Sequence, residues 1–358
     1  MDSSRSCSLG RSCGRSRSVI ISVLLGVTLF VLAACVSRSG QQTPTGSTAR
    51  PTVLFITAHP DDETMFGLSR FVERGWTVDI ALVTNGESGQ VVEAIRTKPK
   101  ADGDSLFERL PGPRTAVVTT PPDGVPGRSV LTPTDLATVR QSEFLDSMGR
   151  QGVSRVYLLS GPTSPAFEDS WDNGVRNWDV SRLRVQLLRI DEQVDPDVII
   201  TLNPGETWAH PQHQGLGKIV TAMWNAGELT SPDATRPALY GIREIGWYQQ
   251  SVVPQTGDEQ FDRTIFSPVL GRTYADYWSW VTSSYVSQGS HPVWFAARVG
   301  TGFLPGYKQV DVIRRLVDVP PDQTLTALFA KYPPDASLAT KPGLPQVIRV
   351  WEVTPASG

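Results

Sequence analysis

The chain is poor in the two residue types that most often hold metals or form disulfides: 358 residues contain three cysteines, Cys7, Cys13 and Cys35, and four histidines. All three cysteines precede residue 36, so the rest of the chain has no internal disulfide, no thiolate ligand and no cysteine nucleophile. Positive charge is scarce as well. The formal net charge is −3, and residues 1–34 hold Arg5, Arg11, Arg15 and Arg17 against Asp2, which leaves the remainder at about −6. An acidic domain lacks the basic footprint of a nucleic-acid binder, so no such partner is expected. The serine-nucleophile pattern G-x-S-x-G occurs once, at Gly10–Gly14, and nowhere after residue 34, which argues against a serine esterase. The one long apolar run, Val19 to Ala34, is too short for a comfortable membrane span.

What is there begins with that run. Four arginines, then an uncharged apolar stretch, then Leu32-Ala33-Ala34-Cys35 read as an export segment over residues 1–34. The last four residues resemble the lipobox of bacterial lipoproteins, which implies lipidation of Cys35. Residues 36–50, rich in Ser, Gly, Thr, Gln and Pro, have the composition of a flexible tether reaching roughly 20 Å. The expectation is an exported lipoprotein of the cell envelope, anchored to a membrane through Cys35 and facing outside the cytoplasm.

From residue 51 onward, apolar runs alternate with helical spacing. Strands are expected at Thr52 to Ala58, Thr77 to Val83, Arg155 to Leu159 and Asp197 to Leu202. Helices are expected at about Thr64 to Glu73, Thr134 to Gly149, Val180 to Val194 and Gln214 to Asn225. Such alternation predicts an α/β fold: a Rossmann-like, mostly parallel sheet with helices on both faces. Thr97 to Pro133 reads as a long surface insertion. Beyond Gly227 the order is harder to read, with short strands near Tyr240 to Tyr248 and Gln346 to Val353 and a helix near Tyr274 to Val286. The reading is one domain over residues 51–290 and a less regular C-terminal extension, 291–358, packed on or beside it.

In open parallel sheets, chemistry collects outside the carboxyl ends of the strands. Three of the four histidines fall there, in Ala58-His59-Pro60-Asp61-Asp62-Glu63 and Ala209-His210-Pro211-Gln212-His213. Each string follows a strand and opens a helix, so its i,i+3 members face one point. Two imidazoles and a carboxylate suit Zn²⁺, and a catalytic ion keeps a position open for water. His59, Asp62 and one histidine of the second string supply that set; spacing alone does not say which. Asp61 and the other histidine are then left to move protons and stabilise charge.

The two strings look like those of the LmbE-like (PIG-L-type) zinc de-N-acetylases, Rossmann-like metal hydrolases of N-acetylglucosamine groups. Thr84-Asn85-Gly86-Glu87, the pair Arg140 and Glu143, and Ser287-Gln288 are similar to further family motifs and fall in order. The resemblance implies His59, Asp62 and His213 as metal ligands, Asp61 as general base, and His210 as the group that stabilises the oxyanion or protonates the amine. It implies Zn²⁺ as cofactor, with Fe²⁺ able to occupy similar ligands, and an N-acetylated sugar or glycolipid as substrate, cleaved to acetate and a free amine. Arg140, Asn85, Glu87, Trp208 and Asp169 are the candidate substrate contacts. Trp171, Trp178 and Trp208 lie in loops near the expected strand edge.

One position departs from the family pattern: Gln212 stands where an aspartate is usual. A carboxylate there would favour a protonated His210, whereas glutamine orients a ring by hydrogen bonding without charge. Two other readings stay open, a non-catalytic sugar-binding lipoprotein on the same scaffold and a metallohydrolase of another amide.

Overall fold

Runs of β-branched and apolar residues unbroken by Gly or Pro form the centre of the fold. The computed structural model describes residues 50–88, 133–163, 166–205, 209–230, 236–243, 255–282, 284–285, 287 and 310–352. Five strands, β1 (Thr52–Thr57), β2 (Thr77–Leu82), β3 (Arg155–Leu158), β4 (Val198–Leu202) and β5 (Ala238–Ile242), run parallel in the order β3-β2-β1-β4-β5. Successive strand residues point to opposite faces, and nearly every residue of these strands is buried, so both faces of the sheet are covered.

Helix α1 (Ser69–Val72) lies between β1 and β2, and α2 (Pro133–Gln151) between β2 and β3. Helices α3 (Val180–Val194) and α4 (Pro211–Asn225) lie in the connections that lead to β4 and then β5. The chain moves outward one way from β1 to β3 and the other way from β3 through β4 to β5. Right-handed crossovers therefore put the two sets of helices on opposite faces, and α3 packs on α4. Because β1 pairs with both β2 and β4, the strand order reverses beside it, and the loops leaving β1 and β4 diverge into a crevice.

Two sequence expectations are corrected. The helix expected over Thr64 to Glu73 is divided into a 3-10 turn, Asp62–Met65, and the short α1. Phe66 between them takes an extended backbone, φ −142°, and buries its ring 5.8 Å from Phe261 and 6.0 Å from Phe71. Helix α2 does not stop at Gly149. That glycine is inside the helix, where a Cβ would come within 2.9 Å of the Gly343 carbonyl oxygen, and the left-handed stop is Gly152 at φ 72°. Where a strand is expected at Tyr240 to Tyr248, β5 covers Ala238–Ile242, and residues 244–248 lie outside the described residues.

The remaining elements are β6 (Asp258–Asp262), β7 (Phe266–Ser267), β8 (Arg272–Thr273), α5 (Tyr274–Thr282), β9 (Val310–Arg315), α6 (Leu325–Lys331) and β10 (Gln346–Arg349). Strand β9, unforeseen in the segment expected to be less regular, and β10, which begins the strand expected near Gln346 to Val353, lie on opposite sides of the eight-stranded sheet, whose order is β10-β3-β2-β1-β4-β5-β9-β6. β9 runs antiparallel to both β5 and β6, and β10 runs parallel to β3. No helix among the described residues is long and apolar enough to cross a membrane.

Candidate metal centre

The first string leaves β1 in a tight reversal built by its own side chains. The Ala58 and His59 N–H groups donate to Asp62 Oδ2 at 2.8 and 2.7 Å, which pins one carboxylate oxygen and turns Oδ1 towards the crevice. Asp61 holds φ 147°, a region that side-chain-bearing residues rarely adopt. Glu63, fully buried, accepts from Ser147 Oγ at 2.8 Å and from the Tyr285 hydroxyl, which ties the turn to α2. Burial pushes its pKa up to about 8.

The second string opens α4. Pro211 occupies the first turn, where a missing N–H is harmless, and His210 caps the helix by accepting the Gln212 N–H on Nδ1 at 3.2 Å. A neutral His210 with Nδ1 so engaged carries its proton on Nε2. Its pKa is lowered to about 2, first by burial and then by His59 and His213, so the ring is neutral at physiological pH.

The two strings meet across the crevice. His59 Nδ1 lies 2.9 Å from His213 Nε2, Asp62 Oδ1 lies 3.0 Å from His213 Nε2, and His59 Nδ1 lies 3.5 Å from Asp62 Oδ1. His210 also brings a ring nitrogen within 4.8 Å of those of His59 and His213. Donors around a tetrahedral ion with bonds of about 2.0–2.1 Å stand a little over 3 Å apart, which the His59–Asp62–His213 set matches more closely than the three-histidine set. The residues present therefore fit a divalent cation. The Asp62 carboxyl is opposed by burial, but His213 and His59 outweigh it and hold its pKa well below the usual carboxylate range. Burial also works against a charged His59, yet Asp62 and Asp169 raise its pKa. Asp61, still reached by solvent, has its pKa pushed up by burial and by the neighbouring Asp62.

Gln212 does not act where the sequence suggested. Its side chain turns away from the His210 ring: Oε1 lies 2.7 Å from His59 Nε2, and Nε2 donates to the carbonyls of Glu168 at 2.5 Å and Gly174 at 3.0 Å. Spacing alone gave no signal of this, because the partners come from the loop after β3.

The other expected contacts are divided between crevice and scaffold. Asp169 Oδ1 stands 3.5 Å from His59 Nε2, and its N–H donates to Glu87 at 2.9 Å, so both acids border the site. Asn85 is fully buried, donating to the Gly161 carbonyl at 2.7 Å and accepting the Glu87 N–H at 3.1 Å. Arg140 is largely buried near Asp61 and packs under Gly86. Glu143 accepts both the Ser287 N–H, at 2.7 Å, and its hydroxyl, joining two of the family-like motifs. Trp178 is buried, its indole N–H on the Glu168 carbonyl at 2.8 Å, whereas Trp171 is exposed and meets His210 edge to face with centroids 4.5 Å apart. Cys35, Trp208, residues 97–132, Gln288 and His291 lie outside the described residues.

A donor set that fits a divalent cation, with the Asp61 carboxyl nearby at the switch point of a parallel sheet, is an arrangement that metal-assisted hydrolases use. Residues 54–224 match the family model described as PIG-L, GlcNAc-PI de-N-acetylase, so this part of the chain is similar to PIG-L (LmbE-like) deacetylase domains. Among similar proteins is a 1D-myo-inositol 2-acetamido-2-deoxy-alpha-D-glucopyranoside deacetylase from Kineococcus radiotolerans, 28% identical over 192 residues, covering 52% of this chain and 47% of that protein. Its namesake from Thermobispora bispora is 25% identical over 185 residues, covering 51% and 53%. The chain thus spans about half the length of these relatives. Among solved structures, an N,N'-diacetylchitobiose deacetylase from Pyrococcus horikoshii aligns with a TM-score of 0.44 at 16% identity, covering 84% of this chain and 94% of that one.

Proposed function

We propose that this chain is an envelope-anchored, zinc-dependent hydrolase that removes the acetyl group from an N-acetylated amino-sugar. The observation that carries the reading is the convergence of His59 Nδ1, His213 Nε2 and Asp62 Oδ1 within 3.5 Å of one another, with Asp61 and His210 alongside. The similar proteins named as deacetylases of an acetamido-glucopyranoside support the substrate class.

A divalent cation held by those three atoms would polarise the acetyl carbonyl and lower the pKa of a water. Asp61, next in sequence to Asp62 and still reached by solvent, takes a proton as that water adds to the carbonyl carbon. His210, neutral and protonated on Nε2, donates a hydrogen bond to the carbonyl oxygen as negative charge develops there. When the C–N bond breaks, the proton held by Asp61 passes to the departing nitrogen, which leaves acetate and a free amine. Zn²⁺ suits this donor set, and Fe²⁺ uses the same atoms.

Metal analysis of the purified protein, paired with an acetate-release screen over N-acetylglucosamine glycosides, tests the reading. One bound ion per chain and acetate release are expected, and Asp62→Ala or His213→Ala should abolish both. Metal-dependent turnover retained in either variant would falsify the assignment. The anchoring rests on residues 1–35 and has its own test: Cys35→Ala should shift the protein from the membrane fraction to the soluble one.

A further inference from the structure

Trp171 is exposed at 60%, the largest fraction among the exposed large apolar side chains of the described residues. The loop that carries it is held on both sides. Before it, the Glu168 carbonyl accepts from Gln212 and Trp178, Asp169 N–H donates to Glu87, and Ser88 N–H donates to Asp169 at 3.3 Å. After it, Asn173 N–H donates to Ser170 Oγ at 3.1 Å, the Gly174 carbonyl accepts from Gln212 at 3.0 Å, and Asn173 and Asn177 donate to the Glu168 carboxylate. An anchored loop thus presents an indole to solvent while its neighbours make the bonds that fix it.

The position of that indole is informative. Its ring stands at 89° to His210 with centroids 4.5 Å apart, and His210 stands 4.5 Å from His59, so Trp171 is the next ring outward from the candidate metal centre. A substrate whose amide carbonyl lies between the metal ligands and His210 must place the atoms attached to its nitrogen in that outward layer. Aromatic rings accept the C–H face of a pyranose while the hydroxyls at the ring's edge stay in water, an amphipathic match that tryptophan suits best.

We propose that Trp171 is a saccharide platform that takes the apolar face of the pyranose ring bearing the acetamido group. The proposal rests on the amino-sugar deacetylase reading and names a specificity-determining residue for it. Trp171 supplies binding and no proton, so its loss acts on substrate capture rather than on the bond-breaking step.

Steady-state deacetylation of the methyl glycoside of N-acetylglucosamine by the zinc-loaded full chain, Trp171→Ala and Trp171→Phe tests it. Trp171→Ala should raise KM about tenfold, the scale of a lost stacking contact, with kcat within about twofold. Trp171→Phe should recover most of the loss. An unchanged KM overturns the proposal, as does a fall in kcat at constant KM, which would make the indole a support for His210. Should the wild type release no acetate, the deacetylase reading fails, and calorimetric titration of the same glycoside still decides the platform. Weaker binding by Trp171→Ala upholds it; equal binding, or none by the wild type, overturns it.

Discussion

His59 Nε2 lies 2.7 Å from Gln212 Oε1, and the amide cannot be turned round, because its nitrogen already donates to the carbonyls of Glu168 and Gly174. The amide oxygen therefore accepts a hydrogen bond from His59 Nε2–H, which leaves the lone pair of a neutral imidazole on Nδ1, the atom facing His213 and Asp62. A fully buried amide thus sets which nitrogen of His59 would face a bound cation. Gln212→Leu removes that control and takes the Gln212 amide from the Gly174 carbonyl, while the Glu168 carbonyl keeps the Trp178 indole N–H. It should weaken zinc binding by about 10–100-fold, measured by competition with a chromogenic chelator. Wild-type affinity in the variant would show that the ring is oriented by other means.

Gly217 is a second control on the same pair of strings. A Cβ built there would come within 2.2 Å of the Leu202 carbonyl oxygen and 3.0 Å of Pro204 N, so α4 lies directly on the end of β4. In an ordinary helix, Gly→Ala gains roughly 1 kcal/mol. Here backbone must move instead, and Gly217→Ala should lose about 1–3 kcal/mol in urea unfolding. Since the same helix carries His210 and His213, zinc affinity should fall with it. A variant as stable as the wild type would mean that α4 shifts freely.

Much of this was legible in the residues. The runs TVLFIT, TVDIAL and VIITL announce buried parallel strands because both faces demand apolar side chains, and the two histidine strings announce a site because each follows such a strand. What escaped depended on contacts distant in sequence. Strand β9 places the buried Asp311 within its apolar run and is held by pairing with β5 and β6, both distant in sequence. Gln212 was read against its neighbour His210, but its partners are His59 and the loop at Glu168 to Gly174. Gly149 was read as a helix stop, but its reason is the approach of Gly343.

Asp191 offers a pH-dependent handle away from the site. Burial raises its pKa to about 6, helped by Asp195 and opposed by the Thr230 N–H, and its Oδ1 has no hydrogen-bond partner among the described residues. A carboxyl whose folded pKa exceeds its unfolded value of 3.8 binds the proton more tightly when folded. Its contribution is therefore fully present below pH 3.8 and is lost as pH rises through about 6. Asp191→Asn keeps an acceptor for Thr230 without the charge. It should melt higher than the wild type at pH 8 and show no such advantage at pH 3.5; a gain independent of pH would point to a cause other than ionisation.

Asp61 joins function to strain in one residue. Its φ of 147° costs on the order of 1–3 kcal/mol for any residue with a Cβ, and glycine adopts it without penalty. The turn itself is held by backbone and by Asp62: the Thr64 N–H and hydroxyl both donate to the Asp61 carbonyl, at 2.9 and 2.7 Å, which any residue provides. Removing the side chain should therefore relieve strain without opening the reversal. Asp61→Gly is expected to unfold at higher denaturant than the wild type and to keep zinc. Its acetate release should fall by about 10²–10⁴-fold, the range for loss of a general base. Asp61→Asn separates the two effects, since it should lose the rate while keeping most of the strain. Loss of metal in either variant would reassign Asp61 as a ligand, and an Asp61→Gly protein less stable than the wild type would show that the carboxyl supports the turn.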